Sequence, residues 1–205
     1  MSEIKTSTVY KRHSTRNFDP SYAISRNTLE QILNAGLRAP SPKNRQPWTF
    51  LVLENKRDIH KAAEILRREL QKLKSDRLSR NADYADLQMA FQTADAIDSA
   101  SAMVFVCYMR DDANEHGERM DWGLSAQAFE VADIQSIGAC IENMLLVAES
   151  MSIASLWVCD VLYAESAISV AFGMEYPLVA AVLLGKAALQ QSAREDLSQK
   201  AKWYV

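Results

Sequence analysis

Ala102-Met103-Val104-Phe105-Val106-Cys107-Tyr108 is an unbroken apolar run. A strand with one wet face alternates apolar and polar residues; a run without alternation marks a strand covered on both faces. Arg110, Asp111 and Asp112 end it. Working outward, Trp48 to Leu53, Leu156 to Cys159 and Leu178 to Leu184 repeat the strand character, the last closed by Gly185. Helical patterns lie between them. Leu29, Ile32, Leu33, Gly36 and Leu37 recur on one face after a capping box at Asn27 and Glu30, and Pro40 and Pro42 stop that helix. Asp58 to about Lys74 carries a buried stripe of Ile59, Ala62, Ala63, Leu66, Leu70 and Leu73. From about Ala132 to Met151 the apolar positions nearly encircle the helix, which predicts burial on most sides. Ala164 to Phe172 is a short helix capped by Gly173. Ser75 to about Ile97 has no clean period and reads as irregular structure with some helix, bordering the site. Alternating strands and helices predict a mixed sheet flanked by helices on both sides, in one domain over residues 1–205.

Bulk properties narrow the functional classes. At 205 residues and 48% hydrophobic, the chain can bury a sizeable core. A net charge of -3 gives no general attraction for nucleic acid or anionic lipid, so any cationic site must be local. The start Met1-Ser2-Glu3-Ile4-Lys5 lacks the apolar run of a signal peptide, and no continuous apolar run reaches the roughly 18 residues of a membrane span. Cys107, Cys140 and Cys159 are odd in number and set in apolar surroundings, the pattern of buried thiols in a reducing, cytoplasmic compartment. The six glycines never form Gly-x-Gly, which removes the dinucleotide fingerprint and the P-loop. His13, His60 and His116 are not spaced as metal ligands and no Cys-x-x-Cys exists, so no metal is expected.

Two segments carry chemistry. Lys11-Arg12-His13-Ser14-Thr15-Arg16 places two guanidiniums, an imidazole and a hydroxyl within five positions, a donor set suited to a phosphate. Ala39-Pro40-Ser41-Pro42-Lys43-Asn44-Arg45-Gln46-Pro47-Trp48 is a proline-stiffened loop carrying a hydroxyl and an amide, able to hold a flat polar ring. Together they point to a phosphorylated heterocycle.

In order and spacing these two motifs, with Phe18, Asp19 and Phe50 beside them, resemble the FMN-dependent nitroreductase family. Asp133 leading into Asn143-Met144-Leu145-Leu146, and Pro177 to Gly185 followed by Arg194, extend the likeness over nearly the whole chain. The resemblance implies an α+β fold whose mixed, mainly antiparallel central sheet is flanked by helices, and a homodimer with FMN at the subunit interface. The C-terminal tail, ending in Trp203-Tyr204-Val205, would reach the partner subunit. By matching position, Arg12 and Ser14 would grip the phosphate and ribityl chain, with His13 adding a contact nearby. Arg16 would approach the pyrimidine edge, where a cation favours reduced flavin. Pro40, Ser41 and Asn44 would line the isoalloxazine ring, Cys159 would offer a backbone donor, and Arg194 would close over the phosphate.

The chemistry implied is the cofactor's own. FMN would take a hydride at N5 from NADH or NADPH and pass electrons to a nitroaromatic, quinone or related electrophile in a ping-pong cycle, with no side-chain acid or base required. Two alternatives stay open: a specialised relative that reductively dehalogenates or degrades its flavin, and a flavin-binding module without turnover. Two departures from the family pattern bear on the site. Pro42 stands where a serine is common, and Ser152-Ile153-Ala154-Ser155-Leu156-Trp157 stands where a Gly-Leu-Gly-like segment is common.

Overall fold

The computed structural model describes residues 5–109 and 125–188. Its centre is a sheet of β1 (Trp48–Leu53), β2 (Ala102–Tyr108), β3 (Ala154–Val158) and β4 (Leu178–Gly185) in the order β1-β2-β4-β3. Every neighbouring strand pair is antiparallel. Among the described residues the parallel pairing is a single bridge between Ser14 and Ser155, which lays the N-terminal segment along the β3 edge. The helices are α1 (Thr6–Lys11), α2 (Arg26–Gly36), α3 (Lys56–Ser79), α4 (Leu87–Ser99), α5 (Ala126–Ser150) and α6 (Glu165–Phe172). Short 3-10 turns cover Pro42–Asn44 and Asp160–Ala164.

The run at 102–108 behaves as expected: all of β2 is buried. Met103, Phe105 and Cys107 enter a core with residues of α3, α4 and α6, while Ala102, Val104, Val106 and Tyr108 enter a second core with α2 and α5. Period-two geometry thus splits one apolar run between two faces, giving helix, sheet and helix layers. A register shift between Val106 and Cys107 against β4 bends the sheet next to Tyr108.

Several local readings need correction. The cap of α2 is Ser25, whose Oγ accepts from the Thr28 N–H at 3.1 Å, and not Asn27 with Glu30. Residues 75–97 are largely helical: α3 continues through Ser79 and α4 starts at Leu87. Arg77 pairs with Asp86 at 2.5 Å across the turn between them. The helix α1 had no apolar period to announce it. Cys107 and Cys140 are buried, but Cys159 is exposed, because β3 ends at Val158 and the next residue leaves the sheet. The stretch Gln127–Ser150 has a mean hydropathy of 1.3 in its most apolar window, enough by length and composition for a membrane span, although no apolar run is continuous there. Its apolarity answers to packing, since Ile137, Cys140, Ile141, Met144 and Ala148 are buried against the sheet and α2. Arg194 and the Trp203-Tyr204-Val205 tail lie outside the described residues.

Candidate functional site

The first motif leaves α1 in extended backbone. Arg12 has φ -57 and ψ 128, and the Thr15 N–H then donates to the Ser155 carbonyl at 2.9 Å. Extended backbone alternates its side chains, so buried Thr15 faces the protein while Ser14 and Arg16 face the other way. Arg12 sits against α5, its Nε 3.3 Å from Glu142 Oε1, with 15% of its side chain exposed. Glu142 meets the guanidinium at Nε, and the Nη edge is the part offered to an anion. His13 donates from Nδ1 to the Lys11 carbonyl at 2.8 Å, which leaves Nε2 for a ligand. Arg16 is exposed and touches the protein weakly, through a 3.5 Å contact from Nη1 to the Ser14 carbonyl.

Arg16 lines a groove of ≈ 180 Å³ with Trp157, Cys159 and Asp160 from the end of β3 and Met89, Gln92 and Thr93 from α4. Thr93 Oγ1 donates to Asp160 Oδ2 at 2.5 Å and joins the two walls. The Cys159 thiol is pushed above its ordinary range, first by burial of the group and then by the Asp160 carboxylate, with a Trp157 hydrogen bond acting the other way. It is therefore a neutral thiol near pH 7, and its contribution to the groove is shape and backbone.

The second motif forms a tight turn. The Asn44 N–H donates to the Ser41 carbonyl at 3.1 Å and the Gln46 N–H to Ser41 Oγ at 2.9 Å. With Oγ accepting there, the Ser41 hydroxyl proton is available to donate outward. Pro40 and Asn44 are exposed and Ser41 is half-buried. Arg45 turns inward to Asp133 of α5, through Nε to Oδ1 at 3.3 Å and Nη2 to Oδ2 at 3.1 Å.

Arg12, Ser14 and Arg16 are thus strung along one edge, and Arg16 and Cys159 share one groove. The first motif and the loop carrying Pro40, Ser41 and Asn44 both dock on α5, at Glu142 and Asp133, about two and a half turns or ~13.5 Å apart along the helix. Glu142, Gln92 and Thr93 carried no signal in the sequence: Glu142 is a polar position on a largely apolar helix, and Gln92 and Thr93 come from α4, which has no clean period.

The comparisons with known proteins bear on family and fold. The family model described as the nitroreductase family matches residues 9–186. An Archaeoglobus fulgidus protein provisionally named an NADH dehydrogenase/NAD(P)H nitroreductase is 27% identical over 150 residues, covering 73% of this chain and 64% of that protein. A Bacillus subtilis protein provisionally named an NAD(P)H nitroreductase is 41% identical over 54 residues, 26% of each chain. The matched stretches span less than two thirds of these curated relatives. Among solved structures, a BluB-like flavoprotein from Clostridium difficile 630 superposes with a TM-score of 0.78 at 22% identity over 97% of this chain and 98% of the other. A nitroreductase with bound FMN from Desulfitobacterium hafniense DCB-2 gives 0.74 at 20% identity over 100% of both. These structural likenesses speak for the fold, and the family match over most of the length speaks for descent: the chain belongs to the nitroreductase family.

Proposed function

We propose that this protein is a homodimeric FMN oxidoreductase that uses NADH or NADPH to reduce a nitroaromatic, quinone or related small electrophile. The observation that carries the reading is the cationic edge Arg12-Ser14-Arg16, seated along β3 and opening into the groove of Trp157, Cys159 and Asp160. When bound, FMN supplies the hydride and electron chemistry. The FMN bound to the Desulfitobacterium hafniense structure supports that cofactor here, and the names of the relatives support a nicotinamide donor.

The residues divide the work. Arg12, held by Glu142, presents its Nη edge to the phosphate, and Ser14 offers a hydroxyl beside it. A charge-assisted contact of this kind contributes about 1.5–3 kcal/mol. Arg16 brings a positive charge to the pyrimidine edge, which favours the reduced cofactor by direct attraction. Pro40, Ser41 and Asn44 border the ring, Ser41 as a donor. Cys159 contributes backbone at the groove mouth, and its neutral thiol does not compete as a nucleophile.

The groove that the described residues form is smaller than the roughly 300–1,000 Å³ of a small-molecule pocket. A second subunit completes it in this reading. Unpaired cysteines at 107, 140 and 159 suit a cytoplasmic location. Anaerobic addition of NADH or NADPH to the purified yellow protein tests the proposal: bleaching, followed by recolouring on addition of a quinone or nitroaromatic, is expected. A yellow protein inert to both nucleotides is a binding module and ends the catalytic reading.

A further inference from the structure

The loop from Pro40 to Gln46 holds an improbable backbone. Lys43, Asn44 and Gln46 have φ of 56, 57 and 48, left-handed values without a glycine among them. Side-chain-bearing residues keep such angles only where surrounding contacts over-determine them, and they concentrate at ligand clamps. Between these residues stands Arg45, in ordinary right-handed geometry with φ -65, and its side chain is 12% exposed where its neighbours lie open.

What Arg45 grips is unusual for a core. Asp133 is fully buried, accepts both Arg45 contacts at 3.3 and 3.1 Å, and accepts the Tyr108 hydroxyl on Oδ2 at 2.9 Å. The Arg45 guanidinium also lies 5.5 Å from the centre of the Phe129 ring. Three elements therefore meet on one carboxylate: the loop, the end of β2 and the first third of α5. The chain beyond the loop is already secured by the strand register, since the Met109 N–H donates to the Pro47 carbonyl at 3.0 Å. A buried ion pair is a poor source of stability compared with apolar packing, and its best-attested use is to impose one geometry. Here the geometry imposed is that of the loop.

We propose that Arg45, Asp133 and Tyr108 form a clamp that positions the Pro40–Gln46 loop against the flavin ring, as positioning residues and not as ligands. The inference rests on the reading that this loop borders the ring. It separates two energies that would otherwise blur: the clamp governs the ring end of the cofactor and Arg12 governs the phosphate end.

The test uses flavin-stripped full-length protein and the dissociation constants of FMN and of riboflavin, which lacks the phosphate, together with the visible absorption of bound flavin. Asp133→Asn is expected to weaken FMN and riboflavin by the same factor, about tenfold, the size of one lost charge-assisted contact, and to move the flavin bands. Tyr108→Phe should do the same to a smaller degree, while Arg12→Ala weakens FMN and leaves riboflavin unchanged. A folded Asp133→Asn protein, judged by circular dichroism, that binds both flavins as the wild type does, or loses FMN alone, overturns the clamp. If Asp133→Asn does not fold, unaltered riboflavin affinity and spectrum in Tyr108→Phe overturn it. Wild-type protein that takes up neither flavin overturns the parent assignment, and the clamp with it.

Discussion

At the scale of single residues, Ser152 shows a cost the chain carries in place of a glycine. The end of α5 is a Schellman arrangement: the Ile153 N–H reaches the Ala148 carbonyl at 2.9 Å and the Ser152 N–H the Glu149 carbonyl at 3.0 Å. Ser152 occupies the left-handed position of that motif, with φ 59. A left-handed L-residue costs roughly 1–2 kcal/mol, of which glycine returns part as unfolded-state entropy. Ser152→Gly is therefore expected to stabilise the fold by about 0.5–1 kcal/mol in urea titration, and a lower midpoint would show that the serine has a role beyond the turn. Cys140 makes a pH prediction. Its burial in the α2–α5 core pushes the thiol up from 9.0 to about 12. The folded state thus keeps a proton that the unfolded chain releases first, so the stability is intact below pH 9 and drains away as pH climbs toward 12. The slope of one such proton is about 1.4 kcal/mol per pH unit. Urea unfolding across that window should fall more steeply for the wild type than for Cys140→Ala, and parallel curves would mean the thiol titrates normally.

At the scale of elements, the seam between α2 and α5 depends on a missing side chain. A Cβ placed on Gly36 would lie 2.9 Å from Met144 Cγ and 3.0 Å from Cys140 Sγ. Met144 Cγ is near the backbone and cannot swing away as a chain end would, so the helices must part. Gly36→Ala should cost about 1–3 kcal/mol despite its better helix propensity, the usual range for overpacking a core; an unchanged urea midpoint would mean the seam is looser than it looks. The same seam shows what a sequence displays and what it hides. The α2 stripe of Leu29 and Ile32 and the apolar girth of α5 were legible because burial imposes a period. The α4 helix was not, for its buried positions are mostly alanines, Ala90, Ala94 and Ala96, which have little hydrophobic contrast. Likewise α1, Thr-Ser-Thr-Val-Tyr-Lys, is short and rich in β-branched residues, so its propensity argues against the helix that its docking on α5 permits. The site divides in the same way. Arg12, Ser14, Arg16, Pro40, Ser41 and Asn44 are local in sequence and could be read as motifs. The left-handed angles of Lys43, Asn44 and Gln46 have no glycine to advertise them, and the Glu142 and Asp133 contacts join residues far apart in the chain.

At the scale of the whole molecule, the described surface leaves apolar groups that a lone subunit has no use for. Val131 and Ile134, three residues apart and so on one face of α5, are 52% and 39% exposed. Val9 and Tyr10 of α1, which packs on α5, are 55% and 77% exposed, and Leu37 at the end of α2 is 45% exposed. Scattered apolar residues are normal on a surface, but exposed ones on α5 and on the two helices packed against it, α1 and α2, mark an interaction face. That face adjoins Arg12 and Arg45 through α5, so covering it and completing the flavin groove are one event in the proposed dimer. A charge placed there should separate the copies by exposing an unpaired carboxylate to an apolar partner. Ile134→Glu is expected to move the sedimentation mass at micromolar concentration from two chains toward one, and to lower flavin retention in the same samples. Mass and pigment should decline together across a dilution series, because a groove built from two subunits empties when they part. Wild-type protein that sediments as one chain while holding its flavin would refute the shared site and leave the apolar face in need of another partner.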